Sequence, residues 1–436
     1  MITTDFDFNQ QFAQAYNLLE NSKSNIFITG QAGTGKSTLL KYFREHTKKD
    51  MVVLAPTGVA AVNIMGQTIH SFFRFKPDIT PESVADIRIR KENREIYKNI
   101  DAIIIDEVSM LRADLLDCVD AFLRIHGKKK KKPFGGIQII FMGDLYQLPP
   151  VVTKEEKEIF RDIYTSPYFF SSKAYNEISV AFIDLAKIYR QQDDDFIELL
   201  NAIRNKEITS RHLQVLNERC DPLFYPDEND LYVYLTTTNR LADQINKTQL
   251  VRLEGKVYHF EGSIDGKFEN KNLPTHEFLD IKIGAQVMLL NNDSSGRWIN
   301  GSIGKVLSIS GDLTATAIVE VQLDGGSVVE VAPFRWEMFR FYFNEDTQMI
   351  ESEGVGSFTQ YPLKLAWAVT IHKSQGKTFS KVIIDIGTGT FAHGQAYVAL
   401  SRCTSLEGII LRKPIYKRHI LLDGRVVDFM KQFAVD

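Results

Sequence analysis

The sequence predicts an α/β protein with two units of mostly parallel sheet and a β-rich module inserted into the second unit. Short apolar runs, such as residues 25–30 (NIFITG), alternate with helical patterns such as residues 37–47. Strands that alternate with helices in this way are typical of parallel sheets. A second series of such runs starts near residue 181, and short β-rich runs at about 255–350 separate its two parts.

The first unit is predicted to contain four buried strands. Three further apolar runs follow the first one, at residues 51–56, 102–107 and 137–144, and an amphipathic helix is predicted at 113–125. Five lysines in succession occupy residues 128–132. Such charge runs are usually solvated, so we expect an exposed loop there, with a phosphate-contacting loop as the alternative.

The second unit repeats the alternation of strands and helices. Strands are predicted at residues 232–238, 364–372 and 381–387, with helices starting at Asn239 and covering 394–402. The runs between the two parts of this unit are short and are separated by Gly, Asp and Asn, which indicates a small antiparallel module. We expect Trp336 in that module to be a core residue.

Composition places the chain among ordinary globular proteins of several domains. It has 436 residues, 44% of them hydrophobic, and no window approaches the apolar length of a membrane span. The first residues, MITTDFDFNQQ, lack the pattern of a signal peptide, and the three cysteines are far apart, so we expect a cytoplasmic protein.

The net charge of −3 counts against a strongly basic nucleic-acid binder, but a narrow basic groove can operate on such a protein.

A phosphate-binding loop is predicted at residues 30–37, GQAGTGKS, between a strand and a helix. Glycines let backbone N–H groups curl around phosphates at a helix N-terminus, where the helix dipole favours anions. We expect Lys36 to reach the β- and γ-phosphates and the Ser37 hydroxyl to ligate Mg²⁺. The predicted nucleotide-binding residues of this loop are Gly33, Thr34, Gly35, Lys36, Ser37 and Thr38.

Polar residues at the ends of two later strands complete this predicted site. Asp106 and Glu107 end the strand at 102–107, where a carboxylate can hold Mg²⁺ and its neighbour can act as general base on the attacking water. A helix cap is the structural alternative for the pair. Gln147 follows the next strand and is a candidate for a hydrogen bond to the γ-phosphate or to water.

Hydrolysis of a nucleotide also needs positive charge on the leaving phosphates. Arg190 and Arg402 in the second unit are the candidates, with surface arginines as the alternative reading. An arginine finger contributes roughly 10³–10⁵ in rate.

Eight motifs occur in the order of superfamily-one helicase motifs. They are GQAGTGKST, APTGVAA, TIHSFF, IIIDEVSM, GDLYQLPPV, IYRQ, WAVTIHKSQG and YVALSR. The set resembles the petite integration frequency (PIF) family of DNA helicases, in its short bacterial form, from about residue 6 to 414. The long N-terminal extension of eukaryotic members is absent, which puts mitochondrial targeting in doubt.

The resemblance implies two RecA-like domains with ATP in the cleft between them and single-stranded DNA across both. It also implies 5′-to-3′ movement, unwinding of duplexes and G-quadruplexes, and a role in DNA repair, recombination or telomere maintenance. The predicted domains are 1–180, the first RecA-like domain with a small wedge insertion at about 64–75; 181–255 with 351–436, the second; and 256–350, an SH3-like β-barrel.

Carried over to this sequence, the resemblance makes Arg190 and Arg402 arginine fingers and Gln147 the γ-phosphate sensor. Family members usually read adenine with a glutamine near the start, for which Gln10 and Gln11 are the candidates and Gln10 is favoured.

The DNA track is predicted from residues that offer phosphate donors or aromatic faces. On composition alone the Phe72–Phe73 pair belongs to a core, and the resemblance favours DNA contact for at least one of them. The full predicted set is Pro56, Thr57, His70, Phe72, Phe73, Asn239, Thr370, His372 and Lys373.

The stretch WAVTIHKSQG at 367–376 is expected to start helical and break at Gly376. Its Thr370, His372 and Lys373 are predicted to face a DNA phosphate, whereas Gln375 and Gly376 face the nucleotide. The leading hypothesis is therefore an ATP-dependent DNA helicase, monomeric in its core state and nucleoid-associated. A nucleotide-gated binding module and a P-loop kinase are the alternatives; the first leaves the second unit without a role, and the second needs a phosphoacceptor pocket.

Overall fold

The computed structural model describes residues 9–89, 94–153, 156, 160, 162–227, 230–268, 273–311, 317–347, 349–386 and 392–433. The chain forms two compact units. The first unit comprises the chain up to Tyr189 together with parts of 337–356 and the segment from Asp423 onward. The second unit comprises Arg190–Trp336 and Ser357–Leu422.

The described part of the first unit contains a parallel six-stranded sheet in the order β3-β2-β4-β5-β1-β6. The strands are β1 (Asn25–Gly30), β2 (Met51–Ala55), β3 (Gln67–Thr68), β4 (Ala102–Ile105), β5 (Gln138–Met142) and β6 (Val180–Leu185). The helices are α1 (Gln10–Asn21), α2 (Lys36–His46), α3 (Gly58–Asn63), α4 (Ile69–Phe73), α5 (Arg94–Asn99), α6 (Ala113–His126) and α7 (Lys173–Asn176). Short 3₁₀ turns cover Ser83–Asp86, Val108–Met110, Pro133–Gly136 and Phe169–Ser171.

The central strands are apolar on both faces because a hydrophobic core covers each face. Along β4, Ile103 and Ile105 belong to one core cluster, whereas Ile104 between them belongs to the other. Successive side chains of a strand point to opposite faces, so a strand covered on both sides reads as a continuous apolar run. The four strands predicted from such runs are present as β1, β2, β4 and β5.

Strand β6 corrects the predicted boundary between the units. The prediction placed the run after residue 181 in the second unit, but β6 pairs in parallel with β1 from Asn25–Val180 to Gly30–Leu185. It is therefore the edge strand of the first sheet, and the first unit continues to Tyr189. An apolar run predicts a strand but does not predict the sheet that the strand joins.

The predicted wedge insertion at about 64–75 is also wrong as a separate element. Within it, β3 pairs with the end of β2, and the following helix α4 buries Ile69, Phe72 and Phe73. The segment therefore completes the sheet and the core of the first unit. The lysine loop 128–132 is exposed along its whole length, as expected.

The strands beyond residue 190 form a parallel sheet and an antiparallel module. They are β7 (Val233–Thr236), β8 (Tyr258–Glu261), β9 (Ser263–Gly266), β10 (Phe278–Ile281), β11 (Gln286–Leu289), β12 (Ile303–Ser310), β13 (Ile318–Leu323), β14 (Val328–Val331), β15 (Phe334–Asn344), β16 (Met349–Gln360), β17 (Leu363–Leu365), β18 (Ala368–Thr370), β19 (Val382–Ile384) and β20 (Ile409–Leu411). The helices are α8 (Asp194–Arg204), α9 (Ser210–Asn217), α10 (Asn239–Arg252) and α11 (Gln395–Leu400), and a 3₁₀ turn covers Lys417–His419.

The parallel sheet of the second unit has the order β18-β7-β19-β20. The module consists of an antiparallel sheet in the order β14-β13-β12-β11-β17, a β10-β8 pair and a β15-β16-β9 sheet. Because β17 pairs antiparallel with β11, the module continues to Leu365, and the predicted boundary at residue 350 is too early. Trp336 is 5% exposed and is a core residue, as predicted; the likeness of the module to an SH3 barrel stays a prediction.

Two later segments of the chain belong to the first unit, although the prediction placed them elsewhere. In the β15–β16 hairpin, the Phe341 N–H donates to Gln67 Oε1 at 3.3 Å and the Ile350 N–H donates to Asp50 Oδ1 at 3.0 Å. Helix α12 (Gly424–Lys431) stacks Phe429 on Phe170, with ring centroids 4.2 Å apart.

Both returning segments present an apolar side that packs on the larger core of the first unit. Amphipathic patterns reveal such a side, but the pattern itself does not identify the core that it covers. Among the described residues, no helix combines the length and the apolarity needed to cross a membrane.

Candidate nucleotide site and nucleic-acid groove

The phosphate-binding loop joins β1 to α2, and its last glycine has both a conformational and a steric requirement. Gly35 is the N-cap of α2 with φ 81°, and a Cβ atom there would lie 2.8 Å from Phe12 Cζ. A side chain at this position would therefore be strained and would collide with a core residue. The exposed N-terminal turn of α2 carries Ser37 and Thr38, so their hydroxyls and the backbone N–H groups face a possible anion.

Lys36 is the first residue of α2, and its side chain bonds to the backbone of the preceding loop. Its Nζ donates to Gly30 O at 2.7 Å and to Gln31 O at 2.8 Å. Thr34 is buried, and its hydroxyl donates to Gln31 O at 3.0 Å. The ammonium group is thus held among oxygen acceptors at the place where the pattern predicts phosphate oxygens.

Asp106 and Glu107 follow β4 directly. The Asp106 carboxyl is buried; burial, and then the charge of Glu107, raise its pKa to about 7, while the nearby charge of Lys36 acts in the opposite direction. Glu107 is a non-glycine residue at φ 50°. Backbone strain of this kind costs on the order of 1–3 kcal/mol and clusters at functional sites, so Glu107 is held in place by its surroundings.

These residues fit an Mg²⁺ ion that arrives with a nucleotide. Among the described residues, no group of three or more His, Cys, Asp or Glu side chains could hold a metal by itself. Mg²⁺ is usually bound through one or two carboxylates together with water and substrate phosphates. The buried Asp106 carboxylate and the Ser37 hydroxyl would supply this limited set of ligands.

Gln147 lies in the loop after β5, which is the strand between β4 and β1. The side chain is 7% exposed, and its Nε2 donates to Asp144 Oδ2 at 3.3 Å. Because the carboxyl ends of parallel strands meet at one edge of the sheet, the fold brings together Lys36, the Asp106–Glu107 pair and Gln147. The sequence prediction placed these residues at strand ends, and the strand order makes them neighbours.

The two candidate glutamines of α1 have different surroundings. Gln11 bonds to the backbone at the end of β6, because its Oε1 accepts from Ala186 N at 3.1 Å and its Nε2 donates to Asp184 O at 3.4 Å. Gln10 is exposed at the first residue of the helix. The geometry therefore leaves Gln10 the more accessible of the two, and its role stays a prediction.

Tyr189 is a residue beside the loop that the sequence reasoning missed. Its N–H donates to Gly33 O at 2.9 Å, its hydroxyl accepts from Asn9 Nδ2 at 2.7 Å, and the ring is 40% exposed. A partly exposed aromatic ring fixed to the loop backbone offers a face for a planar base. Its position next to Arg190 in the IYRQ motif was the available signal.

In the second unit, the fold brings Arg190 next to Arg402, which lies in the segment 401–403 after α11. Arg190 Nη1 donates to Ser401 O at 3.2 Å. Arg402 is 1% exposed and donates to Val398 O at 3.0 Å and to the Ser401 hydroxyl at 2.9 Å. Arg402 is thus a buried, multiply bonded side chain in its own unit, which differs from the surface arginine weighed as the alternative.

The predicted DNA-contacting residues of the first unit divide into two groups. Pro56, Thr57 and His70 are partly exposed, and the Thr57 hydroxyl caps α3 by accepting from Ala60 N at 3.3 Å. Phe72 and Phe73 are 5% and 0% exposed and pack in the core. The prediction of an aromatic DNA contact is therefore wrong for both phenylalanines, because α4 directs them to the core side of the sheet.

Three of the residues predicted to contact DNA in the second unit line a groove of about 380 Å³. Asn239 begins α10 and Thr370 ends β18, and both line the groove together with Lys373. The stretch 367–376 starts as strand β18 rather than as a helix, because it pairs in parallel with β7.

A tight turn follows β18 and presents the remaining predicted residues. The Thr370 hydroxyl accepts from Lys373 N at 3.3 Å, and the buried Ser374 hydroxyl donates to Ile371 O at 2.7 Å. His372 and Gly376 are exposed on this turn. The turn thus has an internal framework, and the serine that follows His372 and Lys373 is part of it.

The geometry defines a P-loop nucleoside triphosphatase in which each of two α/β units contains a parallel sheet, with a groove in the second unit. The family model described as PIF1-like helicase matches residues 7–214. The ATP-dependent DNA helicase Pif1 of Bdellovibrio bacteriovorus is 33% identical, with 98% of this chain and 93% of that protein covered.

Two solved structures of a Bacteroides sp. Pif1 are also similar. The complex with ADP-AlF4 has 35% identity and a TM-score of 0.89 over 98% of this chain and 97% of the other. The form bound to ssDNA has 37% identity and a TM-score of 0.69 over the same shares of the two chains. The chain therefore belongs to the PIF1-like helicase family, and with it to the ATP-dependent DNA helicases.

Proposed function

We propose that this helicase couples ATP hydrolysis to 5′-to-3′ movement along single-stranded DNA. The observation that carries the hydrolytic half is the meeting of Lys36, the Asp106–Glu107 pair and Gln147 at the ends of three adjacent strands. The DNA half is supported by the groove that Asn239, Thr370 and Lys373 line.

In this proposal, the residues of the first unit prepare the γ-phosphate for attack by water. Lys36 neutralises the β- and γ-phosphates, and Glu107 accepts the proton of the attacking water. Asp106 and Ser37 would hold Mg²⁺, which neutralises phosphate charge when it is bound. Gly33, Thr34, Gly35 and Thr38 contribute loop N–H groups and hydroxyls.

Other residues are proposed to recognise the base and the γ-phosphate. Gln10 reads the adenine edge while Tyr189 offers a ring face, and Gln147 senses the γ-phosphate. From the second unit, Arg190 and Arg402 serve as arginine fingers, and Gln375 and Gly376 respond to the nucleotide. Both arginines donate to Ser401, Arg190 to its carbonyl and Arg402 to its hydroxyl, and this proximity supports a shared role.

Single-stranded DNA is proposed to contact residues of both units through its phosphates. In the first unit these residues are Pro56, Thr57 and His70, and in the second unit they are Asn239, Thr370, His372 and Lys373. The Thr57 hydroxyl accepts a backbone hydrogen bond and therefore retains its own hydrogen for a phosphate. Phe72 and Phe73 are not part of this proposal.

The finer substrates follow from the family. We infer that the protein unwinds duplex junctions and G-quadruplexes as a monomer and acts in DNA repair, recombination or genome maintenance. A cytoplasmic, nucleoid-associated location stays a prediction.

The test is the ATPase rate with and without an unstructured oligonucleotide. We expect strong stimulation, because DNA held by both units would favour the conformation that completes hydrolysis. Strand displacement on duplexes with a 5′ or a 3′ single-stranded tail tests the direction. An ATPase rate indifferent to DNA would favour the nucleotide-gated binding module instead.

A further inference from the structure

One residue of the groove has no role in the proposed phosphate contacts. Phe278 begins β10 and lines the groove on the side of the module, and it is 67% exposed. Its strand neighbour Leu279 is 2% exposed, so the alternation of the strand turns the phenylalanine ring outward. An outward ring forgoes roughly 1.5–3 kcal/mol of possible burial, which a ligand could recover.

The same groove also carries basic side chains. Lys364 and Lys373 line the groove, and the Nζ of the buried Lys377 donates to Asn300 Oδ1 at 2.6 Å. Burial, and then the charges of Lys377 and Lys373, lower the pKa of Lys364 to about 7; burial lowers that of Lys377 to about 8. Lysines gathered in this way are unfavourable by themselves and favourable beside an anion.

Acidic residues are also present, but they leave the groove basic. The lining contains Lys247, Lys364 and Lys373 against Asp243 and Asp280, a formal charge of three minus two. Asp280 Oδ1 lies 2.7 Å from His259 Nδ1, so that carboxylate already has a partner. An aromatic face next to phosphate-binding lysines is the arrangement by which proteins hold single-stranded nucleic acid.

We propose that this groove is a nucleotide subsite in which Phe278 stacks on a base while Lys364 and Lys373 contact the adjoining phosphate. The inference rests on the proposed DNA function and specifies a contact that the motif residues do not provide. The volume of about 380 Å³ lies at the lower end of the ~300–1,000 Å³ range of small-ligand pockets. It therefore suits one unstacked nucleotide of a single strand, since the bases of a duplex present no free face.

The test compares a fluorescein-labelled oligothymidylate with an abasic oligonucleotide of equal length, by anisotropy and without nucleotide. Wild type should bind the oligothymidylate more tightly. Phe278→Ala should weaken that binding roughly 5- to 100-fold and leave abasic binding nearly unchanged, because stacking requires a base. Phe278→Trp should restore the preference. Tyr225→Ala is the matched control, since Tyr225 is 78% exposed in the same unit and does not line the groove.

Lys364→Gln separates the phosphate contact from the stacking contact. It should weaken both oligonucleotides by a similar factor and reduce the slope of affinity against salt by about one. The subsite is overturned if Phe278→Ala leaves oligothymidylate binding unchanged or weakens both oligonucleotides alike. A wild-type protein that binds neither oligonucleotide would instead overturn the proposed DNA function. Preferential binding of an acidic peptide would identify a protein partner and refute the subsite.

Discussion

The nucleotide site of the first unit and the groove of the second unit are built in opposite ways. In the first unit, one short loop carries most of the chemistry, and neighbouring strand ends supply the rest. In the second unit, the Asn246 side chain donates to Ala368 O and accepts from Ala368 N, although the two residues are 122 positions apart in the chain. The groove therefore exists only after distant segments of the chain have packed.

Sequence motifs predict the first of these sites better than the second. A phosphate loop depends on glycine conformation and on a helix N-terminus, both of which are local properties of the chain. A groove wall depends on which strand pairs with which, and this is a property of the whole unit. Lys364 and Phe278 belong to none of the sequence motifs, and only the packing of the chain places them beside Thr370 and Lys373.

The substitution with the greatest predicted effect removes a side chain of the nucleotide site and leaves the groove unchanged. Lys36→Ala should lower ATP hydrolysis below detection, because the phosphate charge loses its neutralising partner. Binding of single-stranded DNA without nucleotide should stay within a few-fold of wild type, since Lys36 belongs neither to the groove nor to the proposed DNA contacts of the first unit. Steady-state phosphate release and DNA anisotropy measure the two outcomes.

Lys41→Ala is the control for this change, because Lys41 lies on the same helix with a side chain that is 53% exposed. Retained turnover in the Lys36 variant would refute the assignment of the phosphate loop.

The next effect tests whether the second unit contributes to the chemistry of the first. Arg402→Ala should lower kcat by roughly 10³–10⁵ and change nucleotide affinity little, as expected for a finger that acts in the transition state. Fluorescent-nucleotide titration and single-turnover hydrolysis separate the two quantities.

Arg402 also bonds inside its own unit, so the experiment needs a structural readout. Arg402→Lys keeps the charge but not the fork of donors, and thermal melting reports whether each variant is folded. A variant that melts normally but is defective in nucleotide binding, with kcat unchanged, would contradict the finger role.

The smallest effect concerns the stability of the groove. In the folded protein the pKa of Lys364 is about 7, below its ordinary value of 10.5. Between these two pH values the unfolded chain therefore binds more protons than the folded chain. The free energy of unfolding of the wild type consequently rises with pH in this range. Lys364→Met removes this penalty and should stabilise the protein on the order of 2 kcal/mol at pH 7 and below. The gain should fade toward pH 10.5.

Melting temperatures measured across this pH range test the prediction. Lys247→Met is the control, because Lys247 is exposed in the same groove and should show no such gain. Equal melting curves for Lys364→Met and wild type at all pH values would show that Lys364 is well hydrated.

Much of the fold was predictable, and the errors have a common cause. The helix predicted from Asn239 and the strand at 25–30 begin where they were predicted. The boundaries near residues 180 and 350 are wrong because β6 and β17 join sheets other than the ones assumed. In each case the element was recognised and its partner was not.

The candidate site shows the same division. Lys36, Asp106 and Gln147 could be predicted because their positions at strand ends are visible in sequence. Tyr189 was missed although it lies in the IYRQ motif, because only the packing shows that its backbone bonds to the phosphate loop. Phe72 and Phe73 were assigned to DNA by resemblance, although their apolar character favoured the core where they lie.

The α/β class, the phosphate loop and the family could be read from the sequence, because each depends on patterns or motifs of residues close together in the chain. The tertiary structure decided where each unit ends, which aromatic residues are buried and which lysines meet across the groove. Local backbone preferences can be read along the chain, but partner choice is the free-energy outcome of burying every apolar face at once. That outcome places Phe429, near the end of the chain, in the core of the first unit.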